Sequence, residues 1–270
     1  MDNQRRAAAV SRARGSTSDM RRILILGGTT EARRLAERLG ERRDVAATVS
    51  LAGRTRTPAA YPVPVRIGGF GGAQGLARYL TRERVDALID ATHPYAAIIS
   101  ANAAAAAAAT RIPLLALRRA PWTPLPADRW IEVADTAAAV DALGEAPRRV
   151  FLTLGKTELG MFARAPQHHY LVRSVEPVDP PLAVPHAAYV TGRGPFTEMD
   201  DRALLIAHTI DVIVAKNSGG TATYGKIAAA RSLGLPIILL RRPALPEVPT
   251  VEAIEDVMIW LDHAVALRGV

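Results

Sequence analysis

A chain of 270 residues with no cysteine excludes disulfide frameworks, thiol nucleophiles, thiolate-held zinc and iron–sulfur clusters. Its 49 % hydrophobic content supports real cores, and its length suits two domains of about 100–150 residues each. The formal net charge of +8 is spread over scattered arginines with only 5 % aromatics, which fits a small polyanionic ligand and gives no reason to expect a nucleic-acid partner.

No apolar run reaches the ~18–20 residues of a membrane span, so no membrane partner is expected. Residues 1–20 carry Arg5, Arg6, Arg12 and Arg14 without the apolar core of a secretory signal. They are expected to form a disordered tail, and the protein is expected to be cytoplasmic. Of the 34 basic residues only Lys156, Lys216 and Lys226 are lysines, and each stands in a glycine-containing turn. A lysine there supplies a compact point charge that arginine does not imitate.

Residues 22–26 (RILIL) read as a buried strand. Gly27-Gly28-Thr29-Thr30-Glu31 follows, then a helix over 32–40 with Leu35, Ala36 and Leu39 on one face. This is the first βα turn of a doubly wound fold, where dinucleotide phosphates bind. Its glycines match only part of G-x-G-x-x-G, so a plain tight turn is the alternative. A strand over 45–49 ends at Ser50, with Arg54 and Arg56 just beyond. Hydroxyl and cationic groups where NAD binders carry an acid favour a 2′-phosphate, hence NADPH, over a merely solvated basic loop. A strand over 64–67 leads through Gly68-Gly69-Phe70-Gly71-Gly72 to a helix over 73–81. The strand 85–89 ends in Asp90-Ala91-Thr92-His93-Pro94-Tyr95-Ala96. Open α/β sheets bind ligands at the carboxyl ends of their strands, so Thr92, His93 and Tyr95 are site candidates. A helix over 97–109 and a strand over 113–116 complete the first unit.

Residues 118–130, with Pro121, Pro124 and Pro126, read as a linker. The second unit follows: helix 136–143, strand 149–154, turn 155–159, strands 168–173 and 188–191, helix 197–208, strand 212–215, helix 226–233, strand 236–240 and a last helix over 250–264. Between strand 212–215 and its helix, Lys216-Asn217-Ser218-Gly219-Gly220 gathers backbone N–H groups near a helix N-terminus, which suits an anion. Gly220, Gly225 and Lys226 fit most of a P-loop, but Ile227 stands where Ser or Thr would hold magnesium. There is no Tyr-x-x-x-Lys and no G-x-S-x-G, and His168-His169 is an isolated pair, so no metal site is expected. What remains is a set of turns at strand ends in two α/β domains, 21–120 and 121–270. The expected architecture is two Rossmann-like units with parallel sheets and a ligand cleft between them.

Six stretches in order carry a family likeness: ILILGGTTEARRLA (23–36), SLAGRT (50–55), DATHPYA (90–96), LTLGKTEL (152–159), GRGPF (192–196) and KNSGGTATYGKIAAARSLGLPI (216–237). Through them the chain from residue 21 onward resembles the precorrin-6A reductases of cobalamin biosynthesis, the cobalt-precorrin-6A branch included. The resemblance implies a two-domain enzyme with a nicotinamide cofactor in the cleft. NADPH would deliver hydride to a ring double bond of a tetrapyrrole, converting precorrin-6A to precorrin-6B.

On this basis Gly27, Gly28, Thr29, Thr30 and Glu31 are expected to form the cofactor loop, and Ser50 and Arg54 to take the 2′-phosphate. Thr92, Ser218, Gly219 and Gly220 are expected beside the cofactor. Tyr95, His93 and Lys216 are the candidate proton donors, water being a further one. Lys216, Thr223 and Lys226 are the candidates for substrate carboxylates, a cofactor phosphate being the other ligand that fits their loop. Two other classes compete: a P-loop-like hydrolase using Gly220 to Lys226, and a non-catalytic NADP- or tetrapyrrole-binding protein.

Overall fold

The computed structural model describes residues 20–53 and 60–266. Residues 1–19 of the expected tail and the candidate Arg54 lie outside the described residues. Two six-stranded sheets, parallel throughout, organise the chain. The first contains β1 (Arg21–Leu26), β2 (Val45–Leu51), β3 (Val65–Ile67), β4 (Ala87–Asp90), β5 (Leu114–Leu117) and β12 (Thr250–Val251), in the order β12-β5-β4-β1-β2-β3. The second contains β6 (Arg129–Val133), β7 (Arg149–Thr153), β8 (His169–Ser174), β9 (Ala187–Thr191), β10 (Val212–Lys216) and β11 (Pro236–Leu240), in the order β6-β11-β10-β7-β8-β9.

The central strands are continuous apolar runs because helices cover both of their faces. In β1, Ile23 and Ile25 pack against Leu35 and Leu39 of α1 (Thr30–Gly40), while Leu24 and Leu26 meet Leu76 and Leu80 of α2 (Gly72–Arg82) and Ala103 of α3 (Ala97–Thr110). The second sheet alternates in the same way. Val150, Leu152, Val212 and Val214 face α4 (Thr136–Asp141) and Phe162, just beyond the short helix α5 (Lys156–Leu159). Phe151, Ile213 and Ala215 face α6 (Glu198–Ala207) and α7 (Gly225–Leu233). No helix among the described residues is long and apolar enough to cross a membrane.

The expected assignment of 121–270 to one C-terminal domain is corrected. Strand β12 pairs with β5 of the first sheet, and α8 (Ile254–Ala266) buries Val257 and Leu261 in the first core. A two-residue strand has no periodicity to read, and the apolar stripe of α8 does not say which sheet it covers. The chain therefore crosses between the units twice, at 118–128 and again at 241–249. The end of the expected linker is likewise the start of β6, an edge strand whose exposed Arg129, Ile131 and Glu132 hide its pattern.

Candidate active site

The turn after β1 is shaped by its neighbours. The Gly27 N–H donates to Ser50 O at 2.9 Å, and a Cβ on Gly27 would stand 2.8 Å from Val49 Cγ1. Gly28 sits at φ +116° with open space around it. Thr29 caps α1: its Oγ1 accepts from the Ala32 N–H at 3.1 Å and donates to Ala91 O at 2.9 Å, pinning the turn to the end of β4. The first-turn N–H groups of α1, at Thr30 and Glu31, have no intrahelical acceptor and lie beside this open turn, as an anion site requires. The Glu31 side chain turns to the first crossing. Its carboxylate pairs with Arg119 of the first crossing at 3.3 Å, which keeps a negative charge from confronting a phosphate.

The end of β4 is a buried polar knot. Asp90 accepts from Thr92 Oγ1 at 2.6 Å and from Ser100 Oγ at 2.6 Å, with Arg118 at 3.7 Å. The Thr92 hydroxyl proton is thereby engaged by Asp90. His93 Nδ1 accepts from the Tyr95 N–H at 3.3 Å, which leaves the ring proton on Nε2, 3.2 Å from Ser218 Oγ in the other unit. Burial first, and then the charges of Arg119, Lys216, Arg242 and Lys226, push the His93 pKa down to about 3. His93 is therefore neutral near pH 7, with its remaining ring proton on Nε2 facing Ser218.

Tyr95 bridges the two units. Its hydroxyl donates to Leu240 O and accepts from the Asn217 N–H at 2.8 Å. Burial pushes its pKa up to about 12. With its proton engaged and weakly acidic, Tyr95 is a strut between the ends of β4, β10 and β11.

The loop after β10 is built around the first crossing. Asn217 and Trp122 form a reciprocal pair, Oδ1 accepting from the Trp122 N–H at 2.8 Å and Nδ2 donating to Trp122 O at 3.0 Å. Trp122 Nε1 donates to Gly220 O at 2.7 Å. Arg242 donates to Asn217 O at 2.9 Å and Arg119 O at 2.7 Å. Gly219, at φ +68°, is held so close to this segment that a Cβ would stand 2.1 Å from Ala120 O. Linker packing thus accounts for Gly219 without any anion.

Lys216 donates to Glu158 Oε1 at 2.7 Å, and its ammonium lies 5.1 Å from the centre of the Tyr95 ring. Lys226, 4 % exposed, is turned inward: Nζ donates to Thr223 O at 2.7 Å beneath the Trp122 ring. Desolvation, aided by Arg173 and opposed by Asp201, pulls its pKa down to about 7. Lys226 and the Thr223 carbonyl therefore brace the loop, contrary to the expectation that both meet substrate. A P-loop lysine reaches outward to phosphates, so the hydrolase alternative loses its lysine as well as its magnesium ligand.

The sequence profile described as "Precorrin-6x reductase CbiJ/CobK" matches residues 22–262. The chain belongs to the precorrin-6x reductase family. It is 55 % identical to the "Precorrin-6A reductase" of Rhodobacter capsulatus over 252 residues, covering 93 % of this chain and 100 % of that protein. It is 31 % identical to the "Cobalt-precorrin-6A reductase" of Priestia megaterium, covering 87 % of this chain and 96 % of that one. A solved structure titled "CobK precorrin-6A reductase" superposes with a TM-score of 0.86 at 54 % identity, covering 91 % of this chain and 97 % of the other.

In this precorrin-6x reductase the carboxyl ends of both sheets meet, linked by His93–Ser218, Tyr95–Leu240 and Tyr95–Asn217. Three residues, two at this junction and one on the edge strand β3, escaped individual notice in the sequence. Asp90 and Glu158 stand inside quoted motifs, but their partners Ser100 and Lys216 lie elsewhere in the chain. Arg66 follows a single alternation in a three-residue strand. The stacked His169–His186 pair, rings 4.3 Å apart, lines a cavity of about 320 Å³ at the amino ends of the second sheet, away from this junction.

Proposed function

We propose that the protein catalyses the NADPH-dependent reduction of precorrin-6A to precorrin-6B in cobalamin biosynthesis. The observation that carries this is the junction where the two sheets end: Arg242, bound there to backbone carbonyls, stands with the Lys216–Glu158 and Arg119–Glu31 pairs around His93, and the open Gly27-Gly28 turn ends β1. A macrocycle bearing many carboxylates matches that charge, and a dinucleotide matches the turn. The relatives support the same choice, since identity is 55 % with a protein named for precorrin-6A and 31 % with one named for the cobalt form.

The residues present suit the cofactor. Gly27, Gly28, Thr29 and Thr30 offer an open turn at a capped helix N-terminus, and the residues following β2 include no acid among Ala52 and Gly53 to repel a 2′-phosphate near Ser50. NADPH, when bound, supplies the hydride. The chain supplies position and a proton. Tyr95, Asn217 and Arg242 fix the two units relative to each other, so that reacting groups are held in place. Neutral His93 directs its Nε2 proton at Ser218 Oγ. Lys216 holds a transferable proton at Nζ, steadied by Glu158, and is the side chain best placed to deliver it to the ring.

The test is optical. Mixing purified protein with precorrin-6A is expected to change the tetrapyrrole spectrum when NADPH is added, and far less when NADH replaces it. No change with either nucleotide overturns the proposal, and a response confined to the cobalt-containing substrate reassigns it.

A further inference from the structure

The nucleotide turn, Ser50 and Arg66 stand on adjacent strands. Gly27 bonds to Ser50 O at 2.9 Å, and Ser50 and Arg66 are register partners of β2 and β3. In a parallel pair, register partners project from the same face. Leu26, the β1 register partner of Ser50, completes a row about 10 Å long, two strand spacings, running outward from the residue that precedes the phosphate-type turn. A dinucleotide whose phosphates lie at Gly28 extends its adenosine along such a row.

The Arg66 side chain is held for use. Nη1 donates to Gly68 O at 2.5 Å and Nη2 to Gly69 O at 2.6 Å, while Nη1 lies 3.4 Å from Ser50 Oγ. The guanidinium carbon sits 3.9 Å from the centre of the Phe70 ring. These contacts take three of the five guanidinium N–H groups, and the Tyr79 ring centre lies 5.3 Å away as a second aromatic neighbour. No carboxylate pairs with it among the described residues, unlike Arg118 with Asp90, Arg119 with Glu31 and Arg173 with Asp201. A guanidinium preordered by two carbonyls and an aromatic face loses little freedom on binding a phosphate, and its fork matches two phosphate oxygens.

We infer that Arg66, with Ser50 beside it, recognises the 2′-phosphate of NADPH and sets the preference for this cofactor over NADH. The inference rests on the proposed nicotinamide-dependent reductase activity and adds the residue that selects the cofactor.

Calorimetric titration with 2′,5′-ADP and with 5′-AMP tests it without the reaction. The wild-type protein is expected to bind 2′,5′-ADP at least about tenfold more tightly than 5′-AMP. Arg66→Gln is expected to weaken 2′,5′-ADP about 10- to 100-fold and 5′-AMP less than about threefold. Arg66→Lys is expected to fall between, because charge returns without the fork. Equal losses for both ligands would mark Arg66 as a loop staple and overturn the inference, as would Arg66→Gln keeping the wild-type preference. If Arg66→Gln fails to fold, Ser50→Ala serves: a selective loss for 2′,5′-ADP supports the inference, and an unaltered preference overturns it. Wild-type protein that binds both ligands equally yet reduces precorrin-6A with either nucleotide refutes the role of Arg66 and leaves the reductase activity standing.

Discussion

Tyr95→Phe separates a strut from an acid. The change removes one oxygen, which now donates to Leu240 O and accepts from the Asn217 N–H. Each bond contributes about 1 kcal/mol net. The Asn217 N–H keeps a long direct bond to Leu240 O at 3.4 Å, which offsets part of the loss. The expected destabilisation is therefore about 1–2 kcal/mol, or roughly 3–6 °C in Tm for a chain of this size. Phenylalanine retains the ring under the Lys216 ammonium. The rate of a single turnover, read from the tetrapyrrole spectrum under excess NADPH, is expected to fall by less than about tenfold. Urea unfolding and that rate are measured on the same preparation. A loss of roughly 100-fold or more in rate with an unchanged unfolding midpoint is what removal of a general acid produces, and it would refute the strut.

Lys226 makes stability depend on pH in a defined direction. Its pKa falls from 10.5 in the unfolded chain to about 7 when folded, so between these values the unfolded state binds more protons. Stability then rises with pH across that window, by at most about 1.4 kcal/mol per unit, and this contribution is flat below about pH 7. Lys226→Met is expected to remove that slope in urea titrations at pH 7.5 and 9.5 (roughly the span of the window); parallel slopes would show that the amine titrates normally. Lys216→Met is expected to cut the single-turnover rate about 100-fold while leaving 2′,5′-ADP affinity within about threefold, and an unchanged rate removes Lys216 from proton delivery. Gly219→Ala is expected to lower Tm more than Gly144→Ala. Both sites have positive φ, of +68° and +74°, but only Gly219 places its Cβ against a backbone oxygen. Equal losses would reduce the Gly219 effect to conformation alone.

What could be read from the residues was local. The run RILIL followed by two glycines and an amphipathic stretch states its strand, turn and helix within twenty residues, and the structure repeats them, starting the helix at Thr30 behind a Thr29 cap. The polar ends of β4 and β10 were visible for the same reason. Partners set by the fold were not visible. Tyr95 meets Leu240 from 145 positions away, and Glu158 meets Lys216 from 58. Without those partners, Tyr95 and His93 read as acids because their residue types permit it. Lys226 read as a ligand because Gly-Lys at a helix start resembles a phosphate loop. Its burial depends on Trp122 from the crossing segment, which no spacing reveals. Strand β12, two residues long, has no signature at all.

The return of the chain to the first sheet fixes an order of events during synthesis. The second sheet uses residues from Arg129 to Leu240 without interruption, so all of its strands have been synthesised before β12 is made. The first sheet gains its outer strand only at Thr250–Val251, and the face holding Ile23 and Ile25 gains Val257 and Leu261 only afterwards. Until then that face keeps part of its apolar surface uncovered, the condition that exposes nascent chains to aggregation and to chaperones. Domains ordinarily complete themselves in the order in which they emerge. Here the unit that begins first is finished last.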